Sequence, residues 1–194
     1  MSAIARPDPL LIEVPEALQT ERLLIAAPQP GIGPLMSAAI TESLETLRPW
    51  MPWAQQAPSF EESEAVVRRQ RADFVLRKDL VYQIYDREPA GRRLLGGTGL
   101  HRLDWAVRRF EIGYWIRSSV EGQGYVSEAV RALAQMAFEQ LRARRVEIRM
   151  DEQNRRSRAV AERCGFELEG ILRNDNLTPA GELRNTCVYA RIAP

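Results

Sequence analysis

The chain predicts an α/β (or α+β) single domain in which helices flank one mixed sheet. Two observations carry this. Several segments alternate apolar and polar residues with the period of a strand, while others repeat apolar residues three and four apart, as a buried helix face does. Their order, roughly β-α-α-β-β-β-α-β-α-β-β, interleaves the two types around one core. The length of 194 residues and the 45% hydrophobic content suit one such core and leave little room for a second domain.

Residues 1–17, with Pro7, Pro9 and Pro15, show no period and read as an N-terminal arm; the domain is expected over 18–194. Leu23–Ala26 reads as a first strand, and 28–34 as a loop. A helix is expected over Leu35–Leu47, ending at Arg48-Pro49. Ser59 with Glu62 forms a capping box for a second helix reaching about Arg77, with Val66, Val67, Gln70 and Phe74 at helical spacing. Leu80–Asp86, Leu94–Leu103 and Phe110–Arg117 then read as strands, the first two joined by a hairpin turn at Pro89-Ala90-Gly91. Val126–Leu141 carries Ala129, Val130, Leu133 and Ala137 on one helical face. Val146, Ile148 and Met150 mark a strand, Arg155–Cys164 a short helix closed by Gly165, and Phe166–Leu172 and Leu183–Ile192 two final strands.

Composition excludes several classes. A net charge of +1 argues against a dedicated nucleic-acid binder. Two cysteines, Cys164 and Cys187, make no disulfide framework or zinc spacing, and one histidine, His101, rules out a multi-histidine centre, so no metal is expected. No apolar run is long enough to span a membrane and no signal-like segment opens the chain, so the expectation is a soluble, cytoplasmic protein without membrane or nucleic-acid partners.

The segment richest in chemistry is Gly122-Gln123-Gly124-Tyr125, between a strand and a helix. Two glycines let the backbone curl so that several N–H groups, with the positive end of the following helix, face one point where a phosphate can sit. Alone, the pair is equally a tight turn. Its surroundings add more. Phe110 to Ile116, the glycine loop and Ser127-Glu128-Ala129 together resemble the acetyl-CoA segment of GNAT acetyltransferases. Asn154, Ser157 and Cys164-Gly165-Phe166 resemble that superfamily's second signature. Leu18 to Leu23, Trp50-Met51-Pro52-Trp53 and Val188 to Ile192 resemble its RimJ/RimL branch, which acetylates protein N-termini.

The resemblance implies a GNAT-like fold with a twisted, largely antiparallel sheet splayed at the acetyl-CoA cleft. It implies that acetyl-CoA is held by Tyr114, Trp115 and Ile116, by the loop residues Gly122, Gln123, Gly124, Tyr125, Val126 and Ser127, and by Asn154, with an oxyanion N–H near Trp115 or Ile116. Gly113 would let pantetheine approach the strand. Glu111 is the first candidate base, against an ordinary strand carboxylate paired with Arg108 or Arg109; Asp175, in the loop after Leu172, is the second. Ser157 is the candidate acid, against a helix-surface serine, and Asn154 is equally a helix N-cap. Trp50, Met51 and Trp53 wall an acceptor site, plug the core or make a dimer contact, and His101, which a near-neutral pKa would suit to base chemistry, reads as a surface residue at a strand end that lines the cleft and not as the base. Two positions depart from the family pattern: Ser119 stands where many members have Gln or Arg, and Ala161 where many have a Tyr that protonates the thiolate.

Three functions remain open at this level: acetylation of a protein N-terminus, acetylation of a small amine such as a polyamine, amino acid or antibiotic, and acetyl-CoA binding without turnover. The neutral aromatic 50–53 stretch leans against polyamines. A homodimer is compatible with the resemblance. A Rossmann-type reading is poorer, because the third glycine of that fingerprint is missing.

Overall fold

A computed structural model describes residues 8–87 and 92–193; the expected turn at Pro89-Ala90-Gly91 lies outside them. The strands are β1 (Ala17–Gln19), β2 (Leu23–Ala26), β3 (Leu80–Asp86), β4 (Leu94–Asp104), β5 (Arg109–Ile116), β6 (Arg145–Asp151), β7 (Glu167–Leu177) and β8 (Leu183–Ile192). The helices are α1 (Gly33–Glu42), α2 (Leu44–Leu47), α3 (Phe60–Val75), α4 (Tyr125–Glu139) and α5 (Arg155–Arg163). All eight strands form one sheet in the order β1-β2-β3-β4-β5-β6-β8-β7. Every neighbouring pair is antiparallel except β5 and β6, which are parallel and joined through α4.

Alternation along the central strands divides the core. Leu95, Phe110 and Ile112 enter the larger cluster with Ala129, Val130, Leu133 and Ala137 of α4 and Val160 and Ala161 of α5. Leu94 and Trp115 belong to a smaller cluster with Met36, Ala39 and Ile40 of α1 and Val67 of α3. Helices therefore cover both faces, and the second cluster ends beside the site described below.

Several local expectations change. The helix expected over 35–47 breaks at Ser43, whose hydroxyl donates to the Ala39 carbonyl at 2.8 Å and competes with the backbone. β7 runs to Leu177, beyond Leu172, so Asp175 lies on a strand and not in a loop. The lead-in is anchored near Val14, which is buried in the main core, and the Tyr82 hydroxyl donates to the Pro15 carbonyl at 2.8 Å. The capping box of α3 is present, with Glu62 N–H on Ser59 Oγ at 3.1 Å and Ser59 N–H on the Glu62 carboxylate at 2.7 Å.

One long-range clamp fixes the start of α4. Glu128 accepts from Thr20 Oγ1 at 2.6 Å, from the Arg22 backbone N–H at 3.0 Å and from Arg22 Nε at 2.7 Å. Arg22 also donates to the Gln123 carbonyl at 3.0 Å and stacks 4.5 Å over the Tyr125 ring. Burial alone would raise the Glu128 carboxyl; the Thr20 and Arg22 hydrogen bonds outweigh it and hold the group below its ordinary value.

Glu128→Gln removes the carboxylate and should cost about 1–2 kcal/mol, Arg22 being partly solvent-screened. The cost reads as a lower urea midpoint at constant slope. Because the folded pKa is depressed, the stabilisation is complete above the unfolded glutamate value of about 4.3 and is lost as pH falls through the folded value. Wild type and variant should therefore converge in acid; a gap that stays constant there would contradict the clamp.

Candidate active site

The parallel pair β5–β6 has three register positions, Arg109 with Arg145, Phe110 with Val146 and Glu111 with Glu147. Beyond them β5 stays paired to β4 as far as Ile116, and β6 to β8 as far as Asp151. The two strands thus part after Glu111, and no strand fills the gap among the described residues. The gap opens onto a cavity of about 760 Å³ with Ile112–Trp115 on one wall and Ile148–Asp151 on the other. Peptide groups on this edge of β5 lack a ladder partner, which a buried backbone does not tolerate without another donor or acceptor.

The β4 wall is made of glycine for reasons of space. A Cβ at Gly96 would lie 2.3 Å from the Trp115 carbonyl oxygen, so this position sets how closely β4 approaches β5. Gly99 and Gly113 are cross-strand partners, and a Cβ on either would strike the His101 imidazole at 3.1 Å or less. The room at Gly113 is therefore occupied on this face by His101, where the sequence suggested pantetheine.

The structure brings Trp50, Trp53, His101, Tyr114, Trp115, Asn154 and Ser157 to this one cavity. Trp53 packs edge-on to Trp115 with ring centres 6.0 Å apart. Asn154 caps α5, its Oδ1 accepting from the Ser157 N–H at 3.0 Å, while also lining the cavity. Ser157 Oγ lies 2.7 Å from the Tyr114 hydroxyl. Burial pushes the Tyr114 phenol well above its ordinary value, against the opposing Ser157 hydrogen bond, so it is a proton carrier in its neutral form.

The glycine loop lies at the end of β5. Gly122 (φ 75°) and Gly124 (φ 83°) adopt the left-handed region that favours glycine, and Gly124 is the N-cap of α4. Val126 packs against the core; Ser127 is buried, and its carbonyl accepts from the Cys164 thiol at 3.4 Å. Gly124 and Ser127 border a second hollow of about 440 Å³ with Thr20, Arg22, Arg131 and Arg163. Ser119 is not alone: Arg93 donates to its hydroxyl at 2.7 Å, placing a guanidinium beside the position where this chain lacks the Gln or Arg of many family members. Arg156 pairs with Glu121 beside the loop.

Glu111 and Asp175 stand outside the cavity lining. Glu111 lies 3.5 Å from Arg102, not Arg108 or Arg109, and Arg109 instead faces Asp104 at 3.8 Å. Burial raises the Glu111 carboxyl, opposed by Arg102, Arg149 and His101. Asp175 lies 3.6 Å from Arg149, which does line the cavity. Sequence reasoning missed Arg149, Arg93 and Asp79, whose carboxylate lies 2.7 Å from His101 Nδ1. The available signal was the run Gly96-Gly97-Thr98-Gly99, too glycine-rich for an ordinary central strand.

Gly96→Ala should cost about 1–3 kcal/mol through backbone overpacking. Gly170→Ala, with open space around it, should be neutral or stabilising by up to about 1 kcal/mol. Equal effects in urea denaturation would contradict the spatial role of Gly96.

The profile of the Acetyltransferase (GNAT) domain matches residues 22–167. YdaF of Bacillus subtilis (strain 168), provisionally named a ribosomal N-acetyltransferase, is 34% identical over 159 residues, covering 79% of this chain and 82% of that protein. The ribosomal-protein-serine acetyltransferase of Escherichia coli (strain K12) is 33% identical over 144 residues, covering 72% and 79%. Solved structures that share the fold include RimL, a ribosomal L7/L12 alpha-N-protein acetyltransferase in complex with coenzyme A (TM-score 0.84, 24% identity, 92% of this chain and 98% of that one), and the microcin C7 self-immunity acetyltransferase MccE with acetyl-CoA and AMP (0.85, 22%, 92% and 97%). The parted strands, the left-handed glycine loop and the match across most of its length place this chain in the GNAT family of acetyltransferases, with acetyl-CoA as cosubstrate.

Proposed function

We propose that this acetyltransferase modifies the N-terminal amine of a protein. The observation that carries the reading is the gap between β5 and β6 opening directly into a cavity broad enough for a peptide end and walled by Trp50 and Trp53. The E. coli relative's name points to the same acceptor class. The cavity's charged lining is Glu62, Arg69, Arg149, Asp151 and Arg184, three cations against two anions, which gives a polyamine no electrostatic attraction.

In this reading, pantetheine lies along the free edge of β5 and takes its unpaired peptide groups, as a further strand would. The pyrophosphate sits at the curled backbone of Gly122–Gly124 and the start of α4, with Arg93 supplying a cation beside Ser119. The thioester oxygen, becoming an oxyanion, meets an N–H near Trp115 or Ile116. Ser157, backed by the Tyr114 hydroxyl, gives a proton to the departing thiolate. Ala161 is fully buried and plays no part in that step. Glu111 and Asp175, each set against an arginine, shape the field around the cavity.

Calorimetric titration with acetyl-CoA tests the cofactor half. Wild type should bind, and Gly122→Glu, which places an anion where phosphates sit, should lose binding while circular dichroism shows it folded. Acetylation of peptides with free N-termini should exceed that of spermidine, and blocking the peptide N-terminus should abolish it. Ser157→Ala should lower kcat by about 10²-fold with acetyl-CoA affinity intact. Preferred turnover of the polyamine would overturn the acceptor class, and full activity of Ser157→Ala would overturn its role.

A further inference from the structure

We propose that His101 is the general base that deprotonates the acceptor ammonium, and that Asp79 is the positioning residue that leaves its Nε2 free to accept the proton. The inference rests on the acetyltransfer reading above and assigns a role that the family pattern does not require. His101 is the chain's single histidine.

The geometry is that of a ring held at both ends. Asp79 Oδ1 lies 2.7 Å from Nδ1. A carboxylate only accepts, so Nδ1 carries the proton and Nε2 bears the lone pair. The Nε2 end points the other way, over the Gly99–Gly113 pair, within 3.1 Å and 2.9 Å of where their Cβ atoms would be. Any larger residue at either position would push the ring out. Two facing glycines in central strands weaken a sheet, and here they make a slot of the shape of an imidazole. The ring lines the cavity on the wall that includes Gly113 and Trp115, whereas Glu111, its cross-strand partner, does not line it.

Asp79 is itself fixed. α3 ends at Val75 with Leu76 as its C-cap, Arg77 turns into the left-handed region (φ 55°), and the Lys78 N–H donates to the Asp73 carbonyl at 2.9 Å. Trp105 Nε1 donates to the Arg77 carbonyl at 3.0 Å and pins the turn from the β4–β5 side. Asp79 from this turn pairs with the imidazole, and Glu111, its cross-strand neighbour on β5, is set among His101, Arg102 of β4 and Arg149 and Glu147 of β6.

The acceptor ammonium gives one proton to Nε2. The neutral nitrogen forms a bond to the thioester carbon, the C–S bond breaks, and the second nitrogen proton is matched by the one the thiolate receives. One ammonium and one thioester give one amide, one thiol and one proton, which the imidazolium releases to water.

Because the histidine is unique, its ring nitrogens can be read without ambiguity by NMR of the ¹⁵N-labelled full chain. In the neutral form, Nδ1 should carry the proton and Nε2 should be bare, and Asp79→Asn should abolish that preference. With a peptide acceptor, His101→Gln should lower kcat by about 10²–10⁴-fold and remove the acid limb of the kcat/KM profile, with acetyl-CoA binding unchanged. Asp79→Asn should fall between wild type and that variant and keep the limb. A protonated Nε2 in neutral wild type, or His101→Gln retaining the wild-type rate and acid limb, would overturn the proposal. If wild type acetylates no peptide, the acceptor class is what fails, and the ring tautomer still decides for or against the Asp79–His101 pair.

Discussion

The structure depends on one omission: β5 and β6 stop pairing after Glu111 and Glu147. A sheet of eight strands gains most of its order from satisfied peptide groups, and an open seam at its centre forfeits some of that gain. The seam persists because each strand is held from its other side, β5 by β4 as far as Ile116 and β6 by β8 as far as Asp151. It also persists because each strand leads through a loop into the helix that frames the gap, β5 through the glycine loop into α4 and β6 through a short turn into α5. A ligand with an extended amide chain completes what the fold leaves open.

Two clamps keep the far end of that seam in place, and both tie it to the N-terminal part of the chain. Glu128 draws the β1–β2 turn, with Thr20 and Arg22, onto the first turn of α4. Glu42 and Ser43, at the end of α1, receive the turn after β5: Ser118 N–H donates to Ser43 Oγ at 3.0 Å, and Arg117 lies 3.2 Å from Glu42. The glycine loop between these clamps is thus flexible in its own backbone preferences but anchored on both sides. The same economy appears on the acceptor side, where glycines of β4 and β5 give up side chains so that the Trp115 and His101 rings can lie flat against the sheet.

How much of this was legible depended on whether the information was local. β5, β6 and α4 follow from periodicity, β2 and β3 are legible as short segments buried on both faces, and the α3 capping box names its own partners three residues apart. β1 is three residues long and carries no period. The continuation of β7 past Leu172 is exposed nearly throughout, so alternation had nothing to mark. At the site, the glycine loop, Ser157, Asn154 and the tryptophans were legible by resemblance, but the contacts between them were not. Asp79 and His101 are 22 residues apart, Tyr114 and Ser157 are 43 apart, and Arg93 and Ser119 are 26 apart. Such pairs exist only once the strands carrying them have found their register. Glu111 was attractive by its place on β5, and only the fold shows it turned toward Arg102 and away from the cavity lining.

The central claim is that the free edge of β5 receives the cosubstrate, and amide hydrogen exchange tests it most directly. On adding acetyl-CoA, exchange should slow in the second half of β5, Gly113–Ile116, and in the glycine loop with the first turn of α4, 122–127, while β3 and the β7–β8 ribbon are unchanged. Uniform slowing across the chain, or protection that spares β5, would contradict the claim and place the cofactor elsewhere.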